Sequence, residues 1–462
     1  FDFADHSPQQ IWQITLGNIY FESYCIQQLD SFPVFFWLFP VLCSFFFLCD
    51  KVFSFILLHR KGRCFKFNKF NAAFGPFGSF ICSWTLALSY IGVICFEACS
   101  FATIMQYVVP DFLQGYLYTV AGYDVYASWI VVAIFASALI VYVNFLGTKS
   151  AAKFQNILTC IIAGVGLLLV AGSAVTGDMG NLSAQKFVGN SISEIFGNVC
   201  KVSIMTPFFL FGFDIIPQAA EEINVPKRRI GQLMMLSIGM AVVFYTLVVL
   251  AIGYVMSPIQ VRESMVETGM VTADAIAVAF SNEAMTKVLI IGGLCGIVTT
   301  WNSFLIGGSR VLFSMSKARM LPSIFSRLHV EHKTPYISIL FLGVVSMITP
   351  FFGRVMLIWI VDAANFACCL AYCIVALSFL VLRRKQPYMN RPFCVKGGKI
   401  IGIFAAIMAG FMGLMYIIPG TNCSLDCHEW LIVVGWAICG VFLAFRAVRV
   451  YKEKFGCIMD AD

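Results

Sequence analysis

One carboxylate, Asp214, stands inside the stretch PFFLFGFDIIPQAAEEINVPKRR (207–229), directly after a run from Val202 to Phe213 that carries no charge. An ionisable side chain at membrane depth is expensive and marks an ion or substrate pathway by default. Gly212 permits non-helical backbone, and Pro217 removes a hydrogen bond to the preceding turn. The helix expected here is therefore interrupted beside an acid. Broken backbone is tolerated in lipid only where it is buried in protein or lines a cavity. Many transporters build their binding sites from helices broken in this way. The plainer alternative is an ordinary helix end, with Glu221 and Glu222 in a following loop.

Other polar residues also fall in apolar runs. Glu97 interrupts one expected span and Asp362 another. Asn365 follows Asp362 by three residues, which puts both on one helical face and suggests a shared polar cluster. Thr299, Thr300, Asn302 and Ser303 surround Trp301. Such groups either join helices through hydrogen bonds or touch an ion or substrate, and both readings stand for that cluster.

Known enzyme chemistry has no foothold in the motifs. There is no GxSxG, HExxH or P-loop, and His6, His59, His329, His332 and His428 are scattered. No CxxC pair and no Cys/His cluster with zinc spacing appears, so no enzyme activity, cofactor or metal is expected. An ATP-driven pump would need a soluble nucleotide-binding domain, for which no segment is long enough. No selectivity-filter repeat argues for a channel.

The elements that must position these residues are membrane helices. Only 12% of the residues are charged and 60% are hydrophobic, against about 25% charged in soluble domains. Mean hydropathy is +0.86. The net charge of +7 lies in short loops and does not point to nucleic acid. Ile11–Gln28 is a weak first span and Ser31–Cys49 a clear second. Further spans are expected near 77–109, 125–148, 154–177, 200–220, 231–257, 286–312, 335–352, 355–382, 400–420 and 430–448, twelve in all. Each reaches or nears the roughly 20 residues needed to cross a bilayer.

Basic residues alternate with the loops. Arg60 to Lys69, Lys149 and Lys153, Lys227 to Arg229, Lys317 to Lys333, and Arg383 to Lys399 fall on one side, as does the segment from Arg446 to Lys454. The 111–124 and 420–429 loops carry none. This predicts a multi-pass protein of the plasma (cell inner) membrane with both termini in the cytoplasm. Between the last two spans, Cys423 and Cys427 are compatible with a disulfide or with two free thiols.

Five stretches in order resemble the amino acid–polyamine–organocation (APC) family of permeases. FFLFGFDIIPQAAEEINVPKR (208–228) resembles its sixth-helix signature, and FGPFGSFICSW (74–84) the entry to its third helix. NFLGTKSAAKFQN (144–156) resembles the turn between the fourth and fifth helices. GGSRVLFSMSKARMLP (307–322) with TPYIS (334–338) resembles the end of the eighth, and LRRKQPYMNRPF (382–393) the turn after the tenth. The resemblance implies an all-α membrane protein with a LeuT-type 5+5 inverted repeat and discontinuous helices 1 and 6. It divides the chain into 1–70 (first two spans, atypical), 71–177 (helices 3–5), 178–399 (helices 6–10) and 400–462 (helices 11 and 12).

The family also implies secondary transport of an amino acid or related amine, coupled to H+ or Na+ or run as exchange. The carbonyls of Phe209, Leu210 and Phe211 would face the substrate amine, with Phe208 or Phe211 as an aromatic lid and Gly212 at the break. Asn302 would join the substrate site. Asp214 matches an acid implicated in pH sensing or coupling, and Glu97, Asp362, Thr299 and Thr300 are further coupling or gating candidates. Two features depart from the pattern. The family's Gly-rich first-helix break corresponds to LGNIYFESYCI (16–26), where only Gly17 fits, and Ile162 stands where some proton-coupled members carry a fifth-helix Lys. A non-transporting permease or amino-acid sensor is the alternative reading.

Overall fold

The structure is a computed structural model. It describes residues 65–109, 111–184, 212–216, 218, 227–267, 270–388, 397–419, 421 and 424–457. The expected first two spans and most of the sixth lie outside these residues, as do Gly17, Phe208, Phe209, Leu210, Phe211 and Cys423.

Among the described residues the fold is helical. The long helices are α1 (Phe65–Val108), α2 (Ala127–Phe145), α3 (Thr148–Thr176), α5 (Lys227–Val255), α8 (Ala284–Lys317), α10 (Val355–Lys385), α11 (Gly398–Ile417) and α12 (Cys427–Tyr451). Shorter helices are α4 (Met179–Ala184), α6 (Pro258–Glu267), α7 (Val271–Phe280) and α9 (Tyr336–Ile348). Among the described residues eight helices are long and apolar enough to cross a membrane, and they match expected spans closely. The apolar stretch containing α9, Tyr336–Phe352, is shorter and ends in a 3-10 turn, Thr349–Phe352.

The sequence reading takes 111–124 and the region between the 231–257 and 286–312 spans as loops, and the structure differs in both. Strands β1 (Tyr116–Val120) and β2 (Tyr123–Tyr126) form an antiparallel hairpin, with Thr119 opposite Asp124 and Val120 opposite Tyr123. Ala121 (φ 46°) and Gly122 (φ 84°) turn it, the positive pair that a two-residue hairpin turn needs. Between α5 and α8, α6 and α7 fold back onto the bundle and bury Val271, Ala275 and Ile276. Each helix of this pair is about one-half a membrane thickness long, so hydropathy windows sized for a full span pass over them.

Helix α1 is the axis of the bundle. In its most apolar window 89% of residues are buried, against 17% in α12. The reason is legible in its side chains: from Ser79 to Thr103 small residues recur among the large apolar ones, on all sides of the helix. Small residues let backbones approach, which is how membrane helices gain packing energy without a solvent-driven hydrophobic term. Gly92 illustrates this. A Cβ there would lie 2.4 Å from Ala364 Cβ and 3.2 Å from the Ile360 carbonyl oxygen of α10. Helix α10 runs antiparallel to α1, so that Lys385 Nζ at its far end donates to the Ala73 carbonyl at 3.1 Å. Helix α8 packs along another side of α1, where Phe304, Leu305 and Leu312 join the central core.

Candidate functional site

Asp214 lies where α1, α8 and α10 meet. Gly212 takes φ 116°, ψ −23°, a left-handed conformation that a side chain would strain, and Phe213–Ile215 form a single 3-10 turn after it. The backbone is therefore non-helical at Gly212, two residues before the acid, and the stretch expected to precede it as a helix lies outside the described residues. The turn is closed by Ile215 N donating to the Gly212 carbonyl at 3.0 Å and Gln218 N donating to the Ile215 carbonyl at 2.9 Å.

The carboxylate is 1% exposed. The Tyr90 hydroxyl of α1 donates to its Oδ2, and the Gly212 amide donates to Oδ1 at 3.3 Å. Gln218 Nε2 donates to the Tyr90 oxygen at 3.3 Å. Tyr90 is in turn seated edge-on against Phe304 of α8, with ring centroids 5.4 Å apart. Phe213 leans on Tyr372 of α10 at 5.8 Å. Ile215 packs beside Gly307 of α8, which helps seat the turn. Tyr90, Gln218 and Tyr372 are not singled out by the sequence reading. A tyrosine in an apolar run carries no spacing signal, and only the packing of α1 against the break brings Tyr90 to the acid.

Asn302 lies elsewhere, in a chain of side-chain amides joining α2, α3 and α8. It is fully buried. Asn144 Nδ2 donates to Asn302 Oδ1 at 2.8 Å; Asn302 Nδ2 donates to Gln155 Oε1 at 2.8 Å; Gln155 Nε2 donates to Ser303 Oγ at 3.0 Å. Asn302 Nδ2 also meets the Ala151 carbonyl at 3.4 Å, and Asn144 Nδ2 the Ile140 carbonyl at 2.9 Å. In the arrangement seen here both N–H groups of Asn302 are directed at protein partners. Of the two readings of this cluster, the helix-joining one describes these contacts. Thr299 Oγ1 donates back to the Gly296 carbonyl of its own helix at 2.7 Å, and Thr300 is half-buried beside it.

The remaining acids are separate from Asp214. Glu97 is 5% exposed, and its Oε2 has no hydrogen-bond partner among the described residues. Asp362 is near enough to Glu429, at the start of α12, for the two carboxyls to interact electrostatically. Glu429 also closes a capping box, accepting from the Asp426 amide at 2.8 Å. Asn365 is 1% exposed, and its Oδ1 has no hydrogen-bond partner among the described residues. At the hairpin end, Arg354 precedes α10 and donates to Gln106 Oε1. Burial lowers the pKa of its guanidinium from the usual arginine range, opposed by Tyr107, Tyr123 and Tyr126 nearby.

This geometry can be set beside known proteins. The sequence profile of the amino acid permease family matches residues 30–444. The match begins well before residue 70, where the motif-based resemblance starts, and takes in the expected second span. A branched-chain amino acid permease of Bacillus subtilis is 25% identical over 350 residues, covering 74% of this chain and 72% of that protein. A methylthioribose transporter of the same organism is 23% identical over 393 residues, covering 82% and 78%. The Asc-type amino acid transporter 1 of Homo sapiens is 23% identical over 331 residues, covering 69% and 58%. With most of its length matched and eight long apolar helices among the described residues, the chain belongs to the amino acid permease family, as a multi-pass membrane protein.

Proposed function

We propose that this protein is a secondary transporter that moves an amino acid or related amine across the membrane by alternating access. The observation that carries the reading is Asp214, buried beside the Gly212 break and held by Tyr90. An intramembrane acid at a broken helix supports a transport pathway far better than it supports a structural helix end. The relatives' names support amino acids as the substrate class, and the methylthioribose transporter leaves room for a related small solute.

The proposed architecture is twelve spans in a 5+5 inverted repeat, with both termini on the basic, cytoplasmic side. The substrate would sit near the midplane against the freed carbonyls of Phe209, Leu210 and Phe211, with Phe208 or Phe211 as lid. Tyr90, Asp214 and Phe213 on Tyr372 then close the route from the midplane to the basic end. Opening that route means parting Tyr90 from Asp214. A proton on Asp214 changes what its carboxyl can accept and donate, which gives proton-coupled symport or exchange a physical handle.

Purified protein in liposomes, offered a pool of radiolabelled amino acids that includes branched-chain ones, tests the reading. Uptake that collapses with the proton gradient identifies symport, and uptake that needs internal amino acid identifies exchange. Folded protein that takes up nothing under either condition refutes the transport reading and leaves the sensor or non-transporting alternative.

A further inference from the structure

The segment that follows α12 returns to the bundle at its basic end. Helix α12 is first fixed to α1 higher up, by a reciprocal tryptophan clasp. Trp84 Nε1 donates to the Trp436 carbonyl at 2.9 Å, Trp436 Nε1 donates to the Trp84 carbonyl at 3.0 Å, and the indoles stack at 4.1 Å and 9°. Beyond Tyr451 the chain turns sharply at Lys452 (φ 49°) and makes a 3-10 turn, Lys452–Lys454. It then drives Phe455 inward, to 6% exposure, with its ring 5.2 Å from that of Phe77.

The place where it lands is a break in α1. Gly75 has φ 76° and ψ −178°, so α1 is two helices meeting at Gly75–Pro76. Gly456 lies directly on that break: a Cβ there would come within 2.7 Å of Pro76 Cβ, and its own φ is 77°. Its amide donates at 3.0 Å to the carbonyl of Ala318, the residue that caps the end of α8. Helix carbonyls at a C-terminus need such a donor from outside the helix. On the other side of the break, Lys385 of α10 holds the Ala73 carbonyl. The hinge is thus gripped from both sides. The two attachments of the α12 region differ in kind: the clasp has two reciprocal hydrogen bonds between stacked indoles, whereas the returning segment is seated by the Gly456 backbone on the end of α8 and by the Phe455 ring, which reaches the central core past a Phe77 that stays 56% exposed.

We propose that residues 452–457 are a releasable strap on the Gly75–Pro76 hinge of α1. Seated, the strap ties the basic ends of α1 and α8 together and so holds Tyr90, further along α1, against Asp214. Unseated, it frees the hinge while the tryptophan clasp keeps α12 in place, and the strap leaves and returns in each transport cycle. The inference rests on the transport reading for its consequence, but the hinge itself can be observed without transport. Hinges of this kind are a few residues that absorb a large backbone change, far from the chemistry they control.

The test has two arms. In a Cys457→Ser background, the double variant Phe77→Cys, Phe455→Cys is oxidised to cross-link the strap to the hinge, then reduced. Amino acid exchange in liposomes should fall to background when the link is closed and recover on reduction. Complete cross-linking with an unchanged rate means a static staple and overturns the proposal. In the second arm, Gly456→Val places a side chain against Pro76, and amide hydrogen exchange is followed with the protein in lipid nanodiscs. Faster exchange over residues 73–84, with protection around Trp436 and Gly440 retained, is the expected result. Exchange identical to the parent protein overturns the strap. If the parent protein carries no amino acid but Gly456→Val still loosens the hinge, the transport reading fails and the strap on the hinge stands.

Discussion

Two buried polar groups in this bundle solve the same physical problem in opposite ways. The amide chain Asn144–Asn302–Gln155–Ser303 joins three unbroken helices with neutral groups that satisfy one another. The Asp214 group places an ionisable carboxyl beside a broken backbone and draws its donors from Tyr90 and the Gly212 amide. Neutral amides carry both donors and acceptors, so a chain of them can close on itself and has one protonation state. An ionised carboxyl can only accept, whereas a protonated one also donates. The first arrangement fixes where α2, α3 and α8 lie relative to one another. The second is built around a group whose hydrogen bonding depends on its protonation state.

The sharpest way to break this contrast is to remove the break. Gly212→Leu puts a β-carbon at φ 116°, and uptake should vanish while the protein still reaches the membrane. Normal uptake would sink a backbone-built site. Next in size is Asp214→Asn, which keeps the shape and abolishes the second protonation state. The parent protein should show pH-dependent uptake and the variant a flattened profile; matching profiles would mean that Asp214 does not titrate in the cycle.

Tyr90→Phe removes a donor to a buried carboxyl without emptying space. Hydrogen bonds to charged groups contribute about 1.5–3 kcal/mol, so uptake should fall and its pH profile should move, with Gln218→Ala acting in the same direction by less. Asn302→Ala strikes the other region. Polar contacts between membrane helices contribute about 0.6–2 kcal/mol, so the thermal transition in detergent should move to lower temperature, with the pH profile of uptake left as in the parent. A displaced profile would merge the two regions into one functional unit. The smallest effect is expected for Asp362→Asn, which keeps a group able to bond Glu429 at the α10–α12 joint.

Much of the fold was legible in the sequence because a bilayer imposes a simple rule on a chain. Apolar runs of sufficient length must be helices, since every backbone group needs a partner within the run. Eight of the expected spans appear as long helices with ends shifted by a few residues. The same rule hid α6, α7 and the β1–β2 hairpin. Half-length helices and short strands are stabilised by what they pack against, as Val125, 1% exposed, shows in the hairpin, and not by crossing the membrane. At the site, helical spacing suggested Asn365 as a neighbour of Asp362, whereas the electrostatic neighbour Glu429 comes from another helix, which spacing along the chain does not reveal.

By itself, then, the sequence determined that the chain is a bundle of membrane helices, that Gly212 frees the backbone from helical geometry, and that an acid sits beside it. These follow from local chemistry: hydropathy, the freedom of glycine and the expense of a charge in lipid. Only the tertiary structure decided which groups meet that acid. Tyr90 and Asp214 are 124 residues apart in the chain, and nothing in either neighbourhood specifies the other. Their contact exists because small residues on α1 let it run through the centre of the bundle, between α8 and α10, so that one side of a single helix faces the broken turn.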